Sequence, residues 1–162
     1  MKEEGDMTTK TKVKAMKVEL KKVKVARYLS EETTAFAAQL WVDGEYIADV
    51  SNDGHGGNNR IMYRKGQAKG QAFEVWCKAQ PPRVSEYGSL DMDADYYITL
   101  MLEDYEEEQQ VQRWCKTKTV IRLEGDKPGD FHTYKRAYDP EFAQRLRDTE
   151  PTLLEIVNER YL

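Results

Sequence analysis

The segment from Ala35 to Val50 constrains this chain more than any other. Phe36, Ala38, Leu40 and Val42 alternate with Ala37, Gln39 and Trp41. Asp43-Gly44 follows at once, and Asp-Gly between alternating runs is the strongest short-range signal for a two-residue hairpin turn. Glu45 to Val50 then returns, with Tyr46, Ala48 and Val50 predicted on one face and Ile47 on the other. A period of two demands a sheet with one buried face and one wet face.

Upstream, residues 12–28 alternate as well. Val13 and Ala15, then Val18 and Leu20, then Val23 and Val25 are separated by lysines, so the wet face of this strand is basic. The parity changes near Met16-Lys17, where a break or bulge is expected. Residues 1–11 are polar and are expected to form a flexible N-terminus; residues 12–162 are expected to form a single domain. Ser30 to Thr34 reads as a turn. A glycine-rich loop over 51–60 is expected to leave the end of the meander, with Ile61-Met62-Tyr63 as a short strand or a helix entry.

The remainder mixes helices with strands. Gln67 to Gln80 is predicted helical, with Phe73, Trp76 and Cys77 on one face and Pro81-Pro82 as its stop. Residues 83–91 read as a loop. Met92 to Cys115 is predicted as a long helix, capped by Asp91 or Asp93, with acids in its first turn that suit the helix dipole. Lys116 to Leu123 and Phe131 to Ala137 read as strands around a turn at 125–129. Asp139-Pro140-Glu141 is a helix start in which Asp caps and Pro takes the first helical position. Pro151 is expected to restart the helix, with Leu153, Leu154, Ile156, Val157 and Tyr161 burying the end. The fold class is therefore α+β: a curved antiparallel sheet, made of an N-terminal meander and a C-terminal hairpin, packed against two or three helices.

The loop Ser51-Asn52-Asp53-Gly54-His55-Gly56-Gly57-Asn58-Asn59-Arg60 is the leading candidate for function. Three of its residues are glycines, free to enter left-handed conformations or to pass close to another group. Around them stand only hydrogen-bonding side chains. Two readings stay open. Asn52 and Asp53 can satisfy the turn internally. Alternatively Asn52, Asp53, His55, Asn59 and Arg60 form a recognition surface, with loop amides and Arg60 able to hold an anion. The loop matches neither G-x-x-x-x-G-K-[ST] nor G-x-G-x-x-G.

Charge suggests a second surface. The net charge is only −4, but it is segregated. Lys14, Lys17, Lys21, Lys22 and Lys24 crowd the first strand, whereas no Lys or Arg lies between Val84 and Gln112, where acids abound. The basic strand, with Trp41 as a stacking group, is the alternative site, for phosphates or nucleic acid. Docking of the two opposite patches would instead make a homo-oligomer. The three strands followed by a helix are similar in topology to the sheet-based DNA-binding domains of phage integrases and plant AP2 regulators, a likeness that implies no function by itself.

Other chemistries find little footing. His55 and His132 lack the converging ligands of a metal site. Cys77 and Cys115 stand without C-x-x-C partners, as in a cytosolic protein with reduced thiols. No nucleophile elbow is present. We therefore expect no catalytic residue, no metal and no cofactor. Forty per cent apolar residues argue for a packed core, and no apolar run approaches membrane-spanning length. No secretory signal follows the charged start Met1-Lys2-Glu3-Glu4.

Three segments carry a family resemblance. They are Leu29 to Thr33 leading through Phe36 and Val42-Asp43-Gly44 to Asn52-Asp53-Gly54-His55-Gly56-Gly57; Trp114 to Thr119 through Arg122-Leu123 and Gly125-Asp126; and Ile156 to Arg160. Together they resemble a group of small uncharacterised proteins of bacteriophages and bacterial mobile elements. The resemblance implies a phage-like origin and no known activity, and with no catalytic motif in the chain the expectation is a non-enzymatic accessory binding protein in the cytoplasm of a bacterial host. Proteins of that kind block a host defence protein or sequester its nucleotide signal. A nucleic-acid-binding module using the basic strand is the alternative.

Overall fold

The computed structural model describes residues 15–162. Lys14 and the expected flexible residues 1–11 lie outside the described residues. Among the described residues the class is α+β, with three α-helices and antiparallel sheets. The chain divides into two compact units, with the boundary between Leu102 and Glu103.

In the N-terminal unit, β1 (Val18–Val25), β2 (Phe36–Val42), β3 (Glu45–Asn52) and β4 (Arg60–Tyr63) form a four-stranded meander in sequence order. Asp43 and Gly44 turn with φ of 51° and 80°, as a two-residue hairpin with right-handed strand twist requires. Phe36, Ala38, Leu40 and Val42 are buried, together with Ile47, Ala48 and Val50. Helix α1 (Lys69–Lys78) adds Phe73 and Cys77 to that core. The first turns of α2 (Ala94–Thr117) add Ala94, Ile98 and Leu102. Asp93 begins α2 by accepting the Tyr96 amide at 2.8 Å.

Bulges change two expectations about this sheet. The parity break is not at Met16-Lys17 but at Lys22, whose φ is 52°. Lys21 pairs with Gln39 and Lys24 with Ala37, so two β1 residues oppose Ala38 alone. The extra residue lets Leu20, Val23 and Val25 all pack on the core. A second register shift sets Trp41 against Tyr46 but Leu40 against Ala48. It turns both Ile47 and Ala48 inward and moves Tyr46 to the wet face beside Trp41.

The glycine-rich loop also sits differently. It does not leave the meander; it joins β3 to β4, with Ser51 paired to Arg60. Residues 83–91, expected as a loop, contain a small hairpin of β5 (Arg83–Ser85) and β6 (Gly88–Leu90) in a separate two-stranded sheet.

In the C-terminal unit, β7 (Thr119–Leu123) lies between β8 (His132–Tyr134) and β9 (Leu153–Ile156). Helix α3 (Pro140–Thr149) starts as the sequence predicts: Asp139 accepts the Phe142 amide at 2.8 Å. That bond holds the Asp139 carboxyl below its ordinary range. Phe142, Ala143 and Leu146 pack on Ile121 and Ile156. The expected restart of the helix at Pro151 does not occur. Leu153–Ile156 pairs with β7 as a strand instead, followed by a short 3-10 helix, Val157–Tyr161. Sheet pairing with a partner distant in sequence overrode the local reading. Both cysteines are free thiols, and burial pushes Cys77 up to about 12. No helix among the described residues is long and apolar enough to cross a membrane.

Candidate functional site

The 51–60 loop is held from below by its own side chains. Asn52 Oδ1 accepts the Gly54 amide at 2.9 Å and the Thr33 hydroxyl at 2.6 Å. Thr33 Oγ1 in turn accepts the Gly56 amide at 3.2 Å. Asn59 donates from its amide to Asp95 Oδ1 at 2.7 Å and from Nδ2 to Thr99 Oγ1 at 2.8 Å. The Gly54 carbonyl accepts the amides of Glu31, Glu32 and Thr33, at 2.9, 3.0 and 3.4 Å. These three amides form a nest whose anion is replaced by a carbonyl of the same unit.

This arrangement separates the five predicted loop residues by role. Asn52 and Asn59 are scaffolding. Asp53, His55 and Arg60 are exposed on the rigid frame they create. His55 Nδ1 lies 3.1 Å from Glu31 Oε2, with both side chains largely in solvent. Asp53 Oδ1 accepts the His55 amide at 3.2 Å. Thr33, Asp95 and Thr99 were missed because they reach the loop from distant segments.

The loop borders the wet face of the meander, and this brings the two predicted sites together. Ala37, Gln39 and Trp41 lie on the side of β2 opposite its buried residues. Lys24 pairs across from Ala37. Beside Ala37, where β1 and β2 end, a cleft of about 400 Å³ is lined by Lys24, Ala26, Leu29, Ala35, Asp53 and His55 among others. An adjoining cleft of about 290 Å³ shares Asn52 and Asp53 and adds Ser51, Asn58 and Arg60. Lys24 of the basic strand thus borders one cleft together with Asp53 and His55 of the loop, and Arg60 borders the neighbouring one.

At the other end of this face lies an aromatic row. The Trp41 and Tyr46 rings stack, with centroids 5.8 Å apart and planes 13° from parallel. Lys21 Nζ sits 4.0 Å from the Trp41 ring centroid, and the Arg64 guanidinium 4.3 Å from that of Tyr46. Trp41 Nε1 donates to Gln39 at 3.1 Å. The Tyr46 hydroxyl donates to Asp49, and this bond pushes the phenol above its ordinary value. Tyr46 and Arg64 complete the row and were not among the predicted contacts; the bulge at Ile47 hides the pairing of Tyr46 from a simple alternation.

The other basic-strand lysines contribute less. Lys17 lies at the hairpin end, 3.6 Å from Glu19, and its amide donates to Asp43 Oδ1 at 2.9 Å. Lys22 is exposed at the bulge, while Lys14 lies outside the described residues.

A hollow in the C-terminal unit, about 500 Å³, is lined by Cys115, Tyr138, Asn158 and Tyr161 among others. Its principal polar groups already have partners. Tyr138 donates to Glu159, Tyr161 donates to Glu108, and Asn158 bonds to the backbone on both sides. No family model matches this chain, and no curated protein or solved structure matches it significantly.

Proposed function

We propose that this chain is a non-enzymatic binding protein that takes a ligand carrying a flat base and phosphate on the wet face of its N-terminal sheet. The observation that carries this reading is the hollow beside the glycine-rich loop. Its lining is largely apolar, with Ala26, Leu29, Ala35 and Ala37. Lys24 on β1 borders it, and Arg60 borders the neighbouring cleft at the end of a loop that is already hydrogen-bonded into place. A base fits the apolar lining, and phosphate meets the cations without first ordering the loop, so little of the binding energy is lost to ordering. Two ligand sources share this chemistry: a free nucleotide and a single-stranded nucleic acid. In the bacteriophage setting implied by the sequence resemblance, the protein sequesters a nucleotide signal of host defence or covers a nucleic acid.

Fluorescence anisotropy with a labelled oligothymidylate, competed by free mononucleotides and cyclic dinucleotides, tests the reading and separates the sources. Binding is expected at low salt and should fall as salt rises, by about 0.7 in the logarithmic slope per phosphate contacted. Changing Lys24 and Arg60 to Gln together should flatten that slope by about 1.4 and weaken binding at least about tenfold. Stability should stay within about 0.5 kcal/mol, since both side chains are exposed. Failure of every such ligand to bind at low salt refutes the proposal.

A protein partner is the second reading, and the β5–β6 hairpin favours it. Val84 is 82% and Tyr87 91% exposed. A two-stranded hairpin with its large apolar groups in water gains little by itself. Capture of a host protein that survives nuclease, and is lost with Tyr87→Asp, belongs to this reading.

A further inference from the structure

We propose that the same face holds a second subsite, a base-stacking platform at Trp41 and Tyr46, and that the ligand is a single-stranded nucleic acid running along β2. This rests on the reading of the loop-end hollow as a base-and-phosphate site. Ala37 and Trp41 are four positions apart on the same side of one strand. At about 3.3 Å per residue they are about 13 Å apart. That distance spans about four nucleotides at the 3.4 Å rise of a stacked strand, and fewer in an extended one. A mononucleotide in the hollow cannot also reach the aromatic pair.

The chemistry of the platform suits a strand better than a small molecule. Trp41 and Tyr46 already stack, so their ring orientation is set before any ligand arrives. Gln39 holds the indole N–H and Asp49 the phenol. Lys21 and Arg64 cover the rings at 4.0 and 4.3 Å. A base arriving on the rings displaces these cations, and an exposed cation–π contact is worth only about two- to fivefold in affinity. Stacking of one base is worth about five- to a hundredfold. The displaced Lys21 and Arg64 then meet the phosphates flanking that base, where their bonds are charge-assisted. The exchange favours the ligand at both steps. The acids on this face do not oppose it strongly: Asp49 is engaged by Tyr46, and Glu19 lies 3.6 Å from Lys17.

Helices α1 and α2 contribute Phe73, Cys77, Ala94, Ile98 and Leu102 to the core on the opposite side, with Phe36, Leu40 and Val42. Ala37, Gln39 and Trp41 lie in line on the other side of β2, between hollow and platform. Gln39 is the polar side chain of that row and its Oε1 is engaged by the Trp41 indole, so binding should tolerate sequence while depending on length.

The test is a length series of oligothymidylates, from the mononucleotide to about ten residues. Affinity should rise steeply up to about four nucleotides and then level. Trp41→Ala should weaken the long oligonucleotides by about tenfold and leave the mononucleotide unchanged. Trp41→Phe should restore most of the loss, since any aromatic face can stack. Lys21→Gln, an exposed substitution, gives an independent reading if Trp41→Ala does not fold. It should weaken long ligands alone. Length-independent affinity, or equal losses for mononucleotide and oligonucleotide, overturns the platform while the hollow stands. Absence of binding by the whole series overturns both.

Discussion

Replacing Gly54 with alanine should cost about 2–6 kcal/mol, whereas the same change at Gly57 should cost only about 1–2 kcal/mol. Both glycines have left-handed backbones, with φ of 89° and 84°. Both substitutions therefore carry the strain of an L-residue in that region. What separates them is space. A Cβ on Gly54 would lie 2.2 Å from the Leu29 carbonyl oxygen and 3.0 Å from Ala35 Cβ. The obstruction is backbone and cannot swing away. At Gly57 nothing lies within 4 Å. Moving the Gly54 peptide would also disturb its carbonyl, which accepts three amides from residues 31–33. Urea unfolding of the two variants side by side checks the difference. Equal losses would mean that the close packing of Gly54 on Leu29 contributes nothing.

The contrast bears on function. Gly54 joins β3 to the segment 29–33, and that junction holds His55 and Asp53 beside Lys24. A variant that loosens it should reduce ligand binding even in the folded fraction. Gly57→Ala should bind normally. Glycine richness in this loop therefore serves two purposes, close approach at Gly54 and turn geometry at Gly57.

Local signals were legible where the chemistry is local. Asp43-Gly44 and Asp139-Pro140-Glu141 each carry their structure within a few residues, and both appear as predicted. The bulge at Lys22 was also written in the chain: apolar parity moves from Val18 and Leu20 to Val23 and Val25. Val13 and Ala15 share the parity of Val23 and Val25, so the same pattern also admits an earlier break. The bulge at Ile47 left a weaker mark, because Tyr46 can sit on either face. Strand β9 was illegible locally, since its pairing with β7 depends on a partner about thirty residues away. Within the site, polarity alone could not separate Asn52 and Asn59, which build the loop, from Asp53, His55 and Arg60, which it presents. That division depends on Thr33, Asp95 and Thr99, and nothing in the 51–60 segment points to them. Ala37 was legible in principle. It stands at an outward position of β2, paired with Lys24.

Asn158→Ala should be among the most damaging single substitutions in the C-terminal unit, at about 2–5 kcal/mol. Asn158 is only 4% exposed. Its Oδ1 accepts the Val120 amide at 2.7 Å, and its Nδ2 donates to the carbonyls of Lys118 at 2.8 Å and Cys115 at 3.3 Å. One side chain thus ties the end of α2 and the start of β7 to the final 3-10 helix. Alanine leaves a buried donor and two acceptors to find other partners, and each unsatisfied group costs about 1–3 kcal/mol. Asn158→Asp separates the hydrogen bonds from the packing. It keeps the acceptor for Val120 and the side-chain volume but turns a donor toward two carbonyls into a negative oxygen. Burial and those carbonyls favour the protonated acid, so its pKa in the folded chain must lie above the unfolded value. The variant is therefore most stable below the unfolded carboxyl pKa and loses stability as pH rises through the folded one. Thermal melts of Asn158→Asp against the parent across the acidic range should show a gap that widens with pH. A constant gap would mean that the side chain packs without these bonds, and that the joint between α2 and β7 is held by Val111, Val120 and Val157 alone.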